Sequence, residues 1–344
     1  MFKTCGMALH KWNSNNSELL DIEYPISEKQ LFAQLEECTT KTLGMVWNSK
    51  SDTLNFKVSI KEKTIYTKRE VLSTIAKLYD PFGLIGPVIT KSKIFLQKLW
   101  LEKINWDDSL PNILCIEWNN FVSTLKTIEN ISINRYLLTD NSERIILLGY
   151  CDASIAAYGA VVYLRSYCEN YTPTTKLLAS KSRVTPLKTI SIPRLELCSC
   201  LLLSQLINKV VNSLKLNIDK ILLFSDSTIA IAWINSSPHQ LKTFIANRVL
   251  KIQALTANYQ WKHISSRDNP ADLISRGVNP SDLEHLEFWW SGPSSAMEEI
   301  MDDSRQNDLN PSEKELYLTE LKTVTSTNLI LSSDNNFINQ ILSL

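Results

Sequence analysis

Apolar runs that end at an acidic residue recur in the second half of the chain. Asp152 follows the apolar residues 145–151, and Asp226 follows the segment 220–225, in which residues 221–224 are apolar. Short apolar runs closed by turn residues predict buried strands. We therefore expect Asp152 at the end of a central strand and Asp226 at a strand-to-helix corner, with residues 156–164 forming a second strand beside the first.

A third acid, Glu196, lies in a segment with helical spacing. Apolar residues recur at that spacing from Ser191, which can cap a helix, to about Leu214, and Pro193 suits the first turn. The pattern predicts that Glu196 lies near the start of this helix and faces outward.

A fourth acid, Asp272, lies in the last patterned segment. Residues 259–265 alternate as a strand does, and residues 268–277 predict a capped helix that ends at Gly277. Asp268 stands where the helix cap belongs, so we assign it to capping and place Asp272 within the helix.

The N-terminal part carries a different pattern. Residues 43–60 alternate and predict a hairpin around residues 48–52, whereas residues 69–79, 88–101 and 112–128 have helical spacing. These segments predict a small α+β region that precedes the strand-rich part of the chain.

The element order β-β-β-α-β-α-α-β-α, with acids on the first strand, first helix, fourth strand and last helix, resembles the ribonuclease H domain of retroelement polymerases. Four segments carry the resemblance: Cys151-Asp-Ala-Ser154, Arg194-Leu-Glu-Leu197, Phe224-Ser-Asp-Ser227 and Asn269-Pro-Ala-Asp272. Five others look like the BEL/Pao group of LTR retrotransposon polyproteins: Ser191-Ile-Pro-Arg-Leu-Glu196, Asn269-Pro-Ala-Asp-Leu-Ile-Ser-Arg-Gly277, Glu287-Phe-Trp-Trp-Ser-Gly-Pro293, Thr42-Leu-Gly-Met-Val-Trp47 and Leu78-Tyr-Asp-Pro-Phe-Gly-Leu-Ile-Gly-Pro87. Their order and combination make the match specific.

The resemblance implies an α/β fold: a ribonuclease H-like mixed five-stranded sheet flanked by helices, preceded by a smaller α+β reverse-transcriptase thumb and connection region. The expected divisions are a palm remnant with the hairpin at 1–62, a helical thumb and connection at 63–140, the ribonuclease H-like domain at 141–278 and an acidic linker or tail at 279–344. The Tyr-x-Asp-Asp motif of the polymerase is absent from the whole chain, so we expect no DNA synthesis from it.

The resemblance also implies the chemistry. Two Mg²⁺ ions, for which Mn²⁺ can substitute, lie ~4 Å apart in such sites and need several anionic oxygen ligands. Asp152 would bridge both ions, Glu196 and Asp226 would complete the site, and Asp272 would hold the metal on the water side. The expected reaction is hydrolysis of the RNA strand of an RNA:DNA hybrid.

Other interpretations compete with this one. Any single carboxylate at a strand end is more often a cap or a solvated charge than a catalytic group. A decayed domain that binds nucleic acid without cleaving it is the main alternative, and a three-acid transposase or integrase core fits the spacing less well. Many ribonucleases H carry a His in the loop before the last helix. Here His263 falls inside the predicted strand, and residues 265–268 contain no His. This difference bears on turnover and not on the cleavage step.

The neutral total charge conceals a segregation. Residues 145–277 hold 15 Lys and Arg against 7 Asp and Glu, a net charge of +8, whereas residues 281–320 hold 2 against 11, a net charge of −9. A basic body favours a polyanionic partner. By their positions, we expect nucleic-acid contacts from five residues: Ser154, Lys181, Arg183, Ser227 and Asn269.

The composition of the chain bears on where in the cell the protein is expected to act. No apolar stretch approaches the 18 or more residues of a membrane span, the N-terminus lacks a signal-peptide pattern, and seven Cys without Cys-x-x-Cys spacing fit a reduced protein. We expect an intracellular chain, cytoplasmic or nuclear, whose partners are the RNA:DNA hybrid and other parts of the polyprotein such as the palm and the integrase.

Overall fold

The computed structural model describes residues 14–16, 39–42, 44–139, 142–168, 171–293 and 309–322. Four short strands form an antiparallel sheet in the order β1-β2-β3-β4: β1 Thr39–Thr42, β2 Met45–Asn48, β3 Thr53–Asn55 and β4 Ser132–Asn134. The predicted hairpin is therefore confirmed in β2 and β3. Residues 1–13 and 17–38, most of the expected palm remnant, lie outside the described residues.

Three helices follow the hairpin, where the spacing predicts them. They are α1 Lys68–Lys77, α2 Gly86–Leu101 and α3 Asn112–Thr124, and α3 continues as a 3-10 helix over Leu125–Asn130. Thr67 and Glu70 form a capping box that begins α1, and Pro87 occupies the first turn of α2.

The rest of the chain builds a mixed five-stranded sheet in the order β7-β6-β5-β8-β9. Its strands are β5 Arg144–Ala153, β6 Ala157–Cys168, β7 Tyr171–Val184, β8 Lys220–Ser225 and β9 Gln260–His263. β5 pairs antiparallel with β6 and parallel with β8, and β8 pairs parallel with β9. The helices are α4 Ile192–Ser213, α5 Thr228–Ile234, α6 Thr243–Thr256 and α7 Ala271–Arg276. The expected element order and fold class are confirmed.

Both faces of this sheet are covered, which explains why β5 and β8 are continuous apolar runs. On one face, Leu147 and Cys151 share a core with α4, including Leu203 and Ile207. On the other face, Tyr150 belongs to a second core, which also contains residues of α2 and α7.

The second core joins the N-terminal helices to the sheet. It extends from Met45 to Trp289 and crosses the expected division at residue 140. Trp289 lies in α9 Glu287–Ser291, which follows α8 Pro280–Leu283. Its indole Nε1 donates to the carbonyl oxygen of Leu84 at 2.8 Å, and Tyr163 Oη donates to the carbonyl oxygen of Trp289 at 2.8 Å.

One further helix lies beyond α9. α10 Pro311–Thr319 begins at a capping box between Asn310 and Glu313 and packs against α5. Residues 294–308 and 323–344 of the expected acidic tail lie outside the described residues. In the part of the chain that the structure describes, no helix is long and apolar enough to cross a membrane.

Candidate active site

Three of the four predicted acids converge at one edge of the sheet. β5 and β8 are parallel neighbours, and Cys151 pairs with Ser225, so the residues that follow these two share an edge. Asp152, Glu196 and Asp226 each place one carboxylate oxygen there, and the three oxygens lie within 4.8 Å of one another. Such a spacing lets three carboxylates bind the same cation.

The expectation that Glu196 faces outward is wrong. Glu196 is only 7% exposed, and its Oε1 accepts a hydrogen bond from the backbone N–H of Ala153 at 3.3 Å. Its neighbours Leu195 and Leu197 are buried as well, because the start of α4 lies against the sheet. A charge is normally assigned to the solvent face of a helix, so the sequence pattern alone gives the wrong side here.

Burial and the charges of neighbouring acids raise the pKa values of Glu196 and Asp152. The pKa of Glu196 lies well above its ordinary value because of burial first, and then because of the charges of Asp152 and Asp226. The pKa of Asp152 is raised to about 6 by burial, with further upward contributions from Asp226 and Asp272, while a hydrogen bond from Ser275 lowers it. A cation bound between the three acids would relieve this repulsion.

Two carboxylate oxygens lack protein donors. Glu196 Oε2 and Asp226 Oδ1 are buried and accept no hydrogen bond from the described residues. A buried anionic oxygen without a donor is costly unless a cation or water satisfies it. Hard oxygen ligands in this arrangement fit Mg²⁺ or Mn²⁺.

Asp272 lies beside this cluster and does not join the group of three. It is in the first turn of α7, its side chain is 37% exposed, and its Oδ1 accepts a hydrogen bond from Arg276 Nε. Its charge still acts on Asp152, whose pKa it raises. Its role as a fourth ligand therefore stays a prediction.

Ser275 is a site residue that the sequence analysis missed. Its hydroxyl donates to Asp152 Oδ2, and its carbonyl oxygen accepts from the Ser154 hydroxyl at 2.8 Å. α7 can approach this closely because β6 has Gly159 at the contact: a Cβ there would lie 2.3 Å from Ile274 Cγ2. The available signal was position, since Ser275 follows Asp272 by three residues and shares its helix face.

The assignment of Asp268 to capping is also wrong. Asp268 belongs to a 3-10 turn over Ser266–Asp268, and α7 begins only at Ala271, after Pro270. Asn269 makes the side-chain contact at the helix start, where its Oδ1 accepts from the N–H of Ala271 at 3.1 Å.

Asn269 is fully buried, which corrects its predicted role as a nucleic-acid contact. Its Nδ2 donates to the carbonyl oxygen of Cys151 at 3.0 Å, so its amide is used to tie α7 to β5. Ser227 is the N-cap of α5 and accepts from the N–H of Ala230 at 3.2 Å, as capping predicts. The side chains of both residues therefore bind backbone groups close to the acids.

Lys181 and Arg183 remain exposed on β7. They flank Ser182, which pairs with Gly159, and Gly159 pairs in turn with Asp152. Two interstrand spacings place this row roughly 10 Å from Asp152. That is close enough for both cations to contact a nucleic acid bound at the carboxylates.

Comparisons with known proteins agree with this organisation. Residues 67–227 match the family model described as "Pao retrotransposon-like RNaseH-like domain". No curated protein matches the chain. Among solved structures, a foamy viral protease-reverse transcriptase dRH in complex with ds DNA is similar at 11% identity and a TM-score of 0.39. The match covers 66% of this chain and 38% of that one, so this chain spans well under half of the viral protein's length.

Two cellular structures are similar over the sheet region. The N-terminal RNase H domain of rv2228c from Mycobacterium tuberculosis is 8% identical with a TM-score of 0.27, and RNase H1 from the archaeon Halobacterium salinarum NRC-1 is 12% identical with a TM-score of 0.22. Each match covers 38% of this chain and 93% of the other. The assignment rests on the family model and the observed sheet. Residues 67–227, which include Asp152, Glu196 and Asp226, are thus similar to the Pao retrotransposon-like RNaseH-like domain.

Proposed function

We propose that this chain is part of a retrotransposon Pol polyprotein and hydrolyses the RNA strand of RNA:DNA hybrids with two Mg²⁺ ions, for which Mn²⁺ can substitute. The observation that carries the proposal is the convergence of Asp152, Glu196 and Asp226, with two buried carboxylate oxygens that no described donor satisfies. A structural cluster of this kind would be unfavourable without a cation.

Each residue of the site has its own proposed role. Asp152, Glu196 and Asp226 would hold the metal, and Asp272 would join them after releasing Arg276. When bound, the ions activate the attacking water and stabilise the leaving 3′ oxygen, which gives 5′-phosphate and 3′-hydroxyl ends. Ser275 keeps the Asp152 carboxylate in position.

Protons compete with the metal at this site. The raised pKa values of Glu196 and Asp152 mean that both carboxyl groups must lose protons before a cation can bind between them. Metal binding at Glu196 and Asp152 should therefore strengthen as the pH rises.

The substrate follows from charge and position. The +8 net charge of residues 145–277 favours a polyanion, and Lys181 and Arg183 supply exposed cations on β7, on either side of Ser182, whose row includes Asp152. Ser154 and Ser227 lie next to the acids and would approach the ribose, whose 2′-hydroxyl distinguishes RNA from DNA. The palm and integrase parts of the polyprotein are further proposed partners.

A cleavage assay tests the proposal. An RNA:DNA hybrid labelled on each strand in turn is incubated with Mg²⁺ and either the wild type, Asp226→Asn or Asp268→Asn. We expect Asp226→Asn to lose at least ~100-fold in rate and Asp268→Asn, a nearby acid outside the cluster, to retain activity. Cleavage should be confined to the RNA strand. If the wild type cuts no faster than Asp226→Asn, the proposed activity is wrong.

A catalytically inactive nucleic-acid-binding remnant is the second candidate. Two observations favour it: Asp272 is engaged by Arg276, and residues 265–268 contain no His. It predicts that the wild type binds the hybrid as tightly as Asp226→Asn does and that neither cleaves it. Measuring binding and cleavage on the same preparations separates the two candidates.

A further inference from the structure

The chain's own C-terminal segment, residues 309–322, lies on the surface beside the carboxylate cluster. Leu309, Tyr317 and Leu321 pack against the core on the α4 side of the sheet. The backbone N–H of Lys242 donates to the carbonyl oxygen of Glu320 at 2.8 Å, and the hydroxyls of Ser236 and Tyr317 lie 2.8 Å apart. These contacts fix the segment against the end of α5 and the start of α6.

Two carboxylates of this segment accept hydrogen bonds from side chains that are close in sequence to the acids of the cluster. Glu320 Oε1 accepts from Arg194, with the guanidinium nitrogen Nη2 at 2.8 Å, and Glu313 Oε1 accepts from the Thr228 hydroxyl at 2.6 Å. Arg194 precedes Glu196 by two residues, and Thr228 follows Asp226 by two. Two residues span at most ~7 Å of chain, so the backbone at each donor lies within that distance of the backbone at an acid of the cluster.

Arg194 and Thr228 carry the kinds of hydrogen-bond donor that bind the phosphates of a nucleic-acid backbone. Arginine, lysine and hydroxyl side chains make most protein contacts to phosphate oxygens. Lys242 is exposed at the start of α6, and the Arg248 guanidinium lies 3.5 Å from the centre of the Phe244 ring, over which Arg194 also lies at 5.2 Å. Arg194, Lys242 and Arg248 thus form a basic group at one side of the acids, with Thr228 beside it.

The carboxylate of Glu320 is poorly satisfied in this arrangement. Glu320 is only 8% exposed, and its Oε2 is buried without a hydrogen-bond partner among the described residues. Burying an anion with one oxygen unsatisfied has a free-energy cost, which the Glu320 side chain would escape by turning into water once a phosphate takes its place on Arg194. The contact is therefore one that a competing anion can replace.

We propose that Arg194, Thr228 and Lys242 form a binding site for phosphates of the nucleic-acid backbone, and that Glu313 and Glu320 compete with those phosphates for Arg194 and Thr228. The inference rests on the proposed function only in naming nucleic acid as the ligand. Binding of the hybrid would transfer Arg194 and Thr228 from the two glutamates to phosphate oxygens, while the apolar anchors keep the segment attached.

Binding of a fluorescein-labelled RNA:DNA hybrid, measured by anisotropy in EDTA at low salt, tests this. Glu313→Gln and Glu320→Gln should each bind about two- to fivefold more tightly than the wild type, because each removes one negative charge that competes with phosphate, at Thr228 and at Arg194 respectively. Glu315→Gln is the matched control: it removes the same charge from the same segment, at an exposed position of α10. Equal binding by all three variants would overturn the proposal.

A second variant tests the donor side. In the Glu320→Gln background, where the ion pair is already lost, Arg194→Gln should weaken hybrid binding; if Arg194 serves only to hold the segment, binding will not change and the proposed site is wrong. Thermal unfolding followed by circular dichroism checks that each variant is folded. The binding assay needs neither metal nor cleavage, so it gives a result even if the protein is inactive as a nuclease. If the protein cleaves the hybrid but the variants bind it as the wild type does, this inference is wrong and the proposed function still stands.

Discussion

At the scale of single residues, two strand ends and the packed faces of two helices bring the carboxylates of the site together. Asp152 and Asp226 follow apolar runs, so their placement at strand ends could be predicted from the run itself. Glu196 and Ser275 depend on which face of α4 and α7 meets the sheet, and that is decided by tertiary packing.

Ser275 offers the first prediction. Ser275→Ala removes the hydroxyl that donates to Asp152 Oδ2 and leaves that buried oxygen without this donor. Groups that orient a metal ligand affect metal affinity by about 10- to 100-fold. We therefore expect the variant to need at least ~10-fold more Mg²⁺ for half-maximal hydrolysis. Ser281→Ala, at a half-buried serine of α8 whose hydroxyl donates to Asp282, should behave as the wild type. A rate loss that excess Mg²⁺ does not restore would contradict this role.

Asp80 provides a pH prediction away from the site. Its two carboxylate oxygens accept from the N–H groups of Leu84 and Ile85, each at 2.8 Å, yet burial raises its pKa to about 6. An acid whose pKa is higher in the folded state stabilises the fold most when protonated. Its contribution therefore falls as the pH rises from about 4, the ordinary value, to about 6.

Urea unfolding of the wild type and Asp80→Asn between pH 4 and 7 measures this. The stability advantage of the wild type over Asp80→Asn, which does not titrate, should shrink as the pH rises. The change should be at most about 3 kcal/mol, and less because solvent still reaches the side chain. An advantage that grows with pH would mean that the backbone donors outweigh burial.

At the scale of elements, periodicity predicted the helices and strands well because both sheet faces are buried. Continuous apolar runs such as β5 and β8 leave little ambiguity. The start of α7 was misplaced, since Asp268 looks like a cap, whereas the chain makes a 3-10 turn before Pro270. Cap residues alone do not reveal such a turn.

Gly159 gives a prediction about how two elements fit. A methyl group at this position of β6 would collide with Ile274 of α7, because the Cβ would lie 2.3 Å from Ile274 Cγ2. Gly159→Ala should destabilise the protein by about 1–3 kcal/mol and lower activity by moving Ser275 away from Asp152. In combination with Ile274→Ala, the two losses should be less than additive in urea unfolding. Full additivity would show that the two residues do not interfere.

At the scale of the whole molecule, the sequence motifs indicated two regions, and the structure gives them a common core. Leu84 of the N-terminal part, Tyr163 of the sheet and Trp289 of α9 are joined by hydrogen bonds and bury one another. The family match supports a joint unit, because it begins at residue 67 and ends at residue 227. Such long-range contacts carry no local sequence signal.

Substitution of Trp289 tests whether the two parts unfold as one cooperative unit. Trp289→Ala removes a fully buried indole that contacts both parts, and losses of this kind cost about 3–5 kcal/mol. Trp106→Ala, at a 38% exposed indole, should cost far less. Hydrogen exchange followed along a denaturant series should show α2 and β5 opening with the same midpoint in the wild type and shifting together in Trp289→Ala. Separate midpoints in the wild type would mean that the shared core does not make the two parts one cooperative unit, and that the expected division near residue 140 is also a thermodynamic boundary.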